Sequence, residues 1–185
     1  MNEPLAYDEF LKRRAQPRRL GTGGTVLLFL AVFFAMQWAW NQSRDTAVER
    51  LVIHQATVRP AVFLINLFDG TAAARAEGAR ITSPSGGINI LNGCEGTEAL
   101  FLLVAAFSVA PLALRAKLSG LLLGTMLIYG LNQLRIVALF HAWRDNRFWF
   151  DVLHGYVAPT AIVMAVLAFF YLWQRRAATE SSVQP

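Results

Sequence analysis

Residues 118–143 read LSGLLLGTMLIYGLNQLRIVALFHAW, a long apolar stretch in which Arg135 is the only side chain charged at neutral pH. About 20 apolar residues in a helix suffice to cross the hydrocarbon core of a bilayer, so this stretch is long enough to span one. Further apolar runs occupy 24–40, 96–114 and 152–173, and 55% of the chain is hydrophobic. These runs predict an all-α polytopic membrane protein of one domain, with about four transmembrane helices surrounded by membrane lipid.

The positions of the basic residues predict how the chain is oriented. Lysine and arginine are enriched in the short cytoplasmic segments of membrane proteins. The basic residues cluster at the ends of the apolar runs, namely Lys12, Arg13, Arg14, Arg18, Arg19, Arg115, Lys117, Arg175 and Arg176. Placing these clusters inside gives cytoplasmic tails at 1–23 and 177–185, the second of which has a disordered composition, and an outer-face segment at 41–93. The net charge of +5 is explained by orientation, and no nucleic-acid partner is indicated.

The outer-face segment contains two further elements. Apolar residues form an approximate helical stripe over 47–68, but charged residues and Pro60 interrupt it. We expect an amphipathic helix on the outer leaflet. The alternative is a fifth crossing, which would turn the later basic clusters outward, against the charge rule. Between 79 and 91, a Pro-Ser-Gly-Gly turn at 84–87 separates two short segments, and this pattern predicts a β-hairpin.

Cys94 is the only cysteine, which excludes an internal disulfide and a zinc site built from several thiolates. No metal or organic cofactor is indicated. Because a helix rises about 1.5 Å per residue, Cys94 lies roughly 31 Å from Arg115, Arg135 roughly 27 Å from Lys117, and His154 roughly 31 Å from Arg175. The hydrocarbon core is about 30 Å thick, so all three residues are expected near its outer boundary. They could therefore converge there from three helices.

Such a cluster would be suited to nucleophilic catalysis. A cysteine thiolate attacks, an imidazole takes up and returns the proton, and an arginine stabilises negative charge. Asn132 and Asp151 lie three residues before Arg135 and His154, on the same helical faces, and could position them. Alternatives remain open, because a lone cysteine is often buried filler, an arginine can snorkel to the interface, and a histidine can be interfacial. His141 and His54 also compete with His154 for the role of base.

Three motifs resemble the exosortase/archaeosortase family. They are Asn92-Gly93-Cys94-Glu95-Gly96-Thr97-Glu98-Ala99, Gly130-Leu131-Asn132-Gln133-Leu134-Arg135-Ile136 and Val152-Leu153-His154-Gly155-Tyr156. The likeness covers roughly residues 80–173, and the chain looks like a short form of the family. Many members have a small polar residue after the cysteine, where this chain has Glu95.

The resemblance implies a membrane cysteine protease or transpeptidase, with Cys94 as nucleophile, Arg135 as stabiliser and His154 as acid and base. It implies that the substrates are secreted proteins with a C-terminal sorting signal, cleaved or transferred at the outer face of a prokaryotic cytoplasmic membrane. Two other functions fit the residues alone. They are a non-catalytic assembly protein with a structural cysteine, and a small transporter or lipid-handling protein with Arg135 and His154 on a polar path.

Overall fold

A computed structural model of the protein describes residues 21–90 and 94–183. In this part of the chain, helix α1 spans Thr22–Gln42, α2 spans Ala47–Phe68, α3 spans Thr97–Val109 and α4 spans Leu114–Asp145. Helix α5 begins with Arg147–Val152, passes through a π-helical turn at Leu153–Val157 and continues over Ala158–Val183. A second π-helical stretch, Arg50–Val58, lies within α2. The strands are β1 Arg75–Glu77, β2 Arg80–Ser83 and β3 Gly86–Asn89.

Four of the described helices are long and apolar enough to cross a bilayer, namely α1, α2, α4 and the Arg147–Ala177 part of α5. The predictions at 24–40, 118–143 and 152–173 each coincide with one of these. The predicted tail at 177–185 is helical as far as Val183, so its disordered composition was misleading. Most of the predicted tail at 1–23 lies outside the described residues.

The predicted helix at 96–114 is shorter in the structure. Helix α3 has 13 residues, and at 1.5 Å per residue it spans about 20 Å, less than the hydrocarbon core. It ends at Val109 because Ala110 is extended, as the residue before a proline prefers to be. Lys117 then donates a hydrogen bond to the carbonyl of Ser108 at 3.1 Å, which satisfies one of the free carbonyls at the end of α3.

Side-chain contacts fix the directions of four helices. Gly120 and Gly124 of α4 face Phe107 and Leu103 of α3, in reverse order, so the two helices are antiparallel. Helix α5 also runs against α4, because it starts beside the end of α4 while Trp173 donates to the carbonyl of Ala116 at 2.9 Å. Helix α1 runs against α3 and hence with α4, since Trp40 near its end bonds Glu95 just before α3.

The same reasoning gives the direction of α2. The side chain of Gln133 donates to the carbonyl of Ala56 at 3.4 Å, and Asp69 forms a 2.7 Å salt bridge with Arg144. The contacts occur in the same order along both helices, so α2 runs parallel to α4 and to α1. Only residues 43–46 join α1 to α2. A return crossing after α1 would run the opposite way, so the direction of α2 does not fit the fifth-crossing alternative.

Glycines bring α3, α4 and α5 close together. A Cβ atom at Gly120 would lie 2.5 Å from Cζ of Phe107 and 2.6 Å from Nε1 of Trp173. At Gly124 it would lie 2.9 Å from Cε1 of Phe169. Small residues four apart allow such close packing of apolar helices, where direct contact between side chains replaces the hydrophobic effect.

The sheet has the order β1-β2-β3 with antiparallel pairs, so the predicted hairpin is present as β2 and β3 and is extended by β1. Ile81 and Ile88 pair across β2 and β3, and both are buried against residues of α2 and α4. Gly86 has a φ of +123°, and its Cα lies so close to the ring of Trp143 that an added Cβ would be 2.2 Å from it. This contact fixes the sheet on the end of α4.

Candidate active site

Cys94 lies in the bend just before α3, is 7% exposed, and has its Sγ 3.9 Å from Nδ1 of His154. The chain reaches this position through Gly96, whose φ of +79° is in the left-handed region that favours glycine. Gly96 also packs on Asn132, since an added Cβ would lie 3.1 Å from Cγ of that side chain. Glycine is therefore needed here both for backbone conformation and for space.

His154 lies in the π-helical turn of α5. Such single turns inside α-helices occur often at functional sites, because they shift the side chains of one turn around the helix axis. The imidazole stacks on the ring of Phe150, with centroids 5.5 Å apart and planes 5° apart. Arg147 lies over the same ring, 5.7 Å from its centroid. Stacking and the turn together hold the imidazole towards Cys94.

Arg135 lies on the inner face of α4 and is only 9% exposed. Its guanidinium is close enough to His154 for a charge interaction, as is the carboxylate of Asp151. Cys94, Arg135 and His154 are thus brought to one end of the bundle, opposite to the end that carries Arg115 and Arg175. Counting residues from the basic ends of the helices had likewise placed these three residues at similar distances from those ends.

The two supporting residues are placed differently from their predicted roles. Asn132 is 1% exposed and packs on Gly96, and neither atom of its amide has a hydrogen-bond partner in the described residues. It does not bind the guanidinium of Arg135 through that amide. Asp151 is exposed and acts on His154 through charge alone, with no hydrogen bond between them in the part of the chain described.

The two competing histidines point elsewhere. His141 packs edge-on against Phe140, with ring centroids 5.6 Å apart. His54 lies beside Gly78, near the turn between β1 and β2. Of the three histidines, His154 is the one in contact with Cys94 within the described residues. Sequence spacing did not decide between them, because all three lie in helices whose rotation about their axes is set by packing.

A cleft of about 440 Å³ opens over the Cys94 and His154 pair. The described residues that line it are Gly87, Ile88, Asn89, Cys94, Trp143, Arg147, Phe150 and His154. One wall is strand β3, and the opposite wall is the start of α5. The thiol and the imidazole therefore line the same cleft, next to the backbone of β3.

Sequence reasoning missed the role of Glu95. Its Oε1 accepts a 2.9 Å hydrogen bond from Nε1 of Trp40 and a 3.3 Å bond from Oγ1 of Thr97, and the residue is 8% exposed. The sequence suggested a charge beside the thiol, whereas the carboxylate is used to attach α1 to the start of α3. Trp40 and Glu95 are 55 residues apart in the sequence, and no local pattern links them.

Sequence reasoning also missed Arg147, which lies on the cleft wall. The described residues contain no group of three or more His, Cys, Asp and Glu side chains that could hold a metal ion. The thiol of Cys94, the imidazole of His154 and the guanidinium of Arg147 line the cleft, whereas Arg135 is not among its lining residues. This combination is suited to acyl transfer through sulfur.

Comparisons of the chain with protein-family models, with curated proteins and with solved structures find no match.

Proposed function

We propose that the protein is a membrane-embedded cysteine peptidase or transpeptidase. The observation that carries the proposal is the 3.9 Å approach of Cys94 Sγ to His154 Nδ1 at the base of an open cleft. A nucleophile within reach of a base that is itself oriented by a third group is the usual arrangement in covalent catalysis. Here Phe150 orients the imidazole by stacking.

The proposed reaction has two steps, and each step moves one proton and replaces one bond at the carbonyl carbon. His154 takes the thiol proton while Sγ bonds to the carbonyl carbon of the scissile peptide, and Arg135 stabilises the negative charge that develops. The C–N bond then breaks, and His154 returns the proton to the leaving amine. Water or an amine then attacks the resulting thioester, and its proton passes through His154 to the sulfur as the C–S bond breaks. This step restores the thiol and gives hydrolysis or transfer.

The directions of the helices support an outward-facing site. With the basic ends of α4 and α5 inside, Cys94 and His154 lie at the opposite end of the bundle, beside the sheet. Helix α2 then starts from the outer end of α1 and does not return through the bilayer, in keeping with an outer-face segment at 41–93. We propose the cytoplasmic membrane of a prokaryote as the location.

The likeness of the motifs around Cys94, Arg135 and His154 to exosortases suggests the substrates. These would be secreted proteins with a C-terminal sorting signal, whose hydrophobic helix holds the scissile bond close to the outer surface. With the basic ends of α4 and α5 inside, the cleft would lie at the outer end of the bundle, close to such a bond.

The proposal is tested by the reactivity of the thiol, which is the only one in the chain. Intact cells that express the protein are treated with a membrane-impermeant maleimide over a pH series. We expect His154→Gln to slow labelling of Cys94 about tenfold near neutral pH, because less thiolate is present. His141→Gln is the matched control, since that histidine lies outside the cleft, and it should label like the wild type.

The covalent intermediate is tested separately. A hydroxylamine-sensitive adduct should accumulate on the wild type and be absent from Cys94→Ser. Labelling that is the same in His154→Gln and His141→Gln would contradict an activated thiol and favour a structural cysteine. If cells with Cys94→Ser kept the wild-type phenotype while cells with Arg135→Gln lost it, a transporter would be favoured instead.

A further inference from the structure

The wall of the cleft formed by β3 has the chemistry of a binding surface for an extended peptide. β3 is an edge strand of the sheet, and its Gly87, Ile88 and Asn89 line the cleft together with Cys94. We propose, on the basis of the proposed function, that the peptide substrate binds in extended form as a fourth strand on the free edge of β3. The main chain of the substrate would then be held next to the thiol.

The pairing pattern identifies which backbone groups are free. Ile90 donates its N–H to the carbonyl of Ala79 at 2.8 Å, and Ile88 pairs with Ile81. In an antiparallel pair the backbone groups of successive residues point alternately to the partner strand and away from it. The backbone N–H and C=O groups of Ile88 and Ile90 therefore point to β2. Those of Gly87 and Asn89 point away from β2, towards the cleft. Among the described residues, no strand pairs with this edge.

The opposite edge of the sheet is capped where it begins. Just before β1, the N–H of Ala74 donates to Oδ1 of Asn66 at 2.8 Å, and Nδ2 of Asn66 donates to the carbonyl of Ala74 at 2.9 Å. The side chain of Asn66 thus satisfies both backbone groups there, as a neighbouring strand would. Unpaired strand edges invite pairing with other chains and are usually covered. The fold caps the start of one edge, and among the described residues no strand pairs with the other edge, beside Cys94.

An extended peptide is the occupant that this edge fits. A helix satisfies its own backbone groups and would offer none to Gly87 and Asn89, whereas an added strand supplies alternating donors and acceptors. Strands lie about 4.8 Å apart, which would place the added strand between β3 and the start of α5. A transmembrane sorting signal would therefore need its scissile bond in an extended segment before its helix begins.

The test compares two reagents on the purified full-length protein in detergent. Iodoacetamide alkylates the thiol without using a peptide backbone. A mixed-sequence acetyl-tetrapeptide vinyl sulfone adds the thiol sulfur to its vinyl group, with the proton going to the adjacent carbon, and can pair with β3. The measured quantity is the ratio of the second-order rate constant of the peptide reagent to that of iodoacetamide.

Proline variants remove one outward-facing N–H from each edge. Asn89→Pro removes the N–H that faces the cleft, and we expect the ratio to fall about fivefold, the effect of losing one hydrogen bond. Asn89→Ala keeps that N–H and should reduce the ratio less. Ala76→Pro is the matched control, because Ala76 faces outward on β1 at the opposite edge. It should keep the wild-type ratio, since proline is tolerated on edge strands.

A backbone-methylated form of the peptide reagent makes the test independent of variant folding. It cannot donate to the carbonyls of β3, so its reaction with the wild type should be about fivefold slower. Equal rates for the two forms, or equal ratios for Asn89→Pro and Ala76→Pro, would overturn strand addition. The catalytic proposal is tested by a different result. It would be wrong if His154→Gln reacted with both reagents as fast as the wild type. Strand addition would still stand in that case if Asn89→Pro lowered the ratio.

Discussion

The two ends of the helical bundle are built on opposite principles. At the basic end, glycines of α4 receive the rings of Phe107, Phe169 and Trp173, and the indole N–H of Trp173 is hydrogen-bonded. At the cysteine end, Glu95, Asn132 and Gln133 each carry a buried polar atom that lacks a hydrogen-bond partner in the described residues. The basic end is held by glycines packed against aromatic rings, whereas the cysteine end contains buried polar atoms without a hydrogen-bond partner in the described residues.

We expect the basic end to contribute mainly to stability and the cysteine end mainly to function. Leaving a buried polar atom without a partner costs about 1–3 kcal/mol, so such atoms add less to stability than packed apolar groups do. Groups of this kind are rare in proteins and are usually explained by a catalytic role or by bound water. Substitutions at the basic end are therefore expected to lower stability more than substitutions at the cysteine end.

The largest effect on stability is expected where Gly120 and Gly124 of α4 pack against the side chains of α3 and α5. Gly120→Ala forces the rings of Phe107 and Trp173 to move, and overpacking of this kind costs about 1–3 kcal/mol. Gly130→Ala is the matched control on the same helix, because a Cβ there meets nothing within 4 Å. Thermal unfolding in detergent measures both. If the two variants melted at the same temperature, the basic end would not be the stabilising one.

A smaller effect is expected where α1 is attached to the cysteine end. Glu95→Ala removes the acceptor for Trp40 and Thr97 and should destabilise by about 1–2 kcal/mol. Glu95→Gln keeps an oxygen acceptor and removes a buried charge, so its stability should stay within about 1 kcal/mol of the wild type. Unfolding monitored by tryptophan fluorescence distinguishes the two. Equal losses in both variants would show that the charge of Glu95, rather than its hydrogen bonds, matters.

The smallest effect is expected at the link between α2 and α4. Hydrogen bonds from Thr71 and Arg144 lower the pKa of Asp69 from 3.8 to about 2. A lowered pKa in the folded state stabilises the fold above pH 4, and this contribution is lost as the pH falls from about 4 to 2. Asp69→Asn should flatten the fall in unfolding temperature over this interval.

Asp145→Asn is the control for that experiment, because Asp145 contacts the same arginine at 3.6 Å from an exposed position. It should retain the acid-dependent loss of stability. An acid profile of Asp69→Asn that matched the wild type would show that the salt bridge does not hold α2 to α4.

The sequence predicted the fold where a local pattern is sufficient. Apolar length located α1, α4 and α5, and the Pro84 turn located the β2–β3 hairpin. Hydropathy and strand patterns failed at two short elements. Helix α3 ends just before Pro111, although the apolar run continues past it. Strand β1 has only three residues, too few for a sequence pattern to reveal, and is recognised by its pairing with β2.

The candidate site was predictable in part, for a similar reason. Helix rise is nearly constant, so counting residues from the basic ends placed Cys94, Arg135 and His154 at one depth. Counting does not fix the rotation of a helix about its axis, and so it did not choose His154 over His141. It also gave Asn132 a hydrogen-bonding role, where the structure has that side chain packed on Gly96.

By itself, the sequence determined the long apolar helices and the common level of Cys94, Arg135 and His154 along them, because hydropathy and helix rise are properties of the chain. Tertiary structure alone decided which histidine meets the thiol, that α2 runs with α1, and that β3 lies at the sheet edge beside Cys94. These features depend on contacts between residues distant in sequence, and a local pattern carries no information about which of them form.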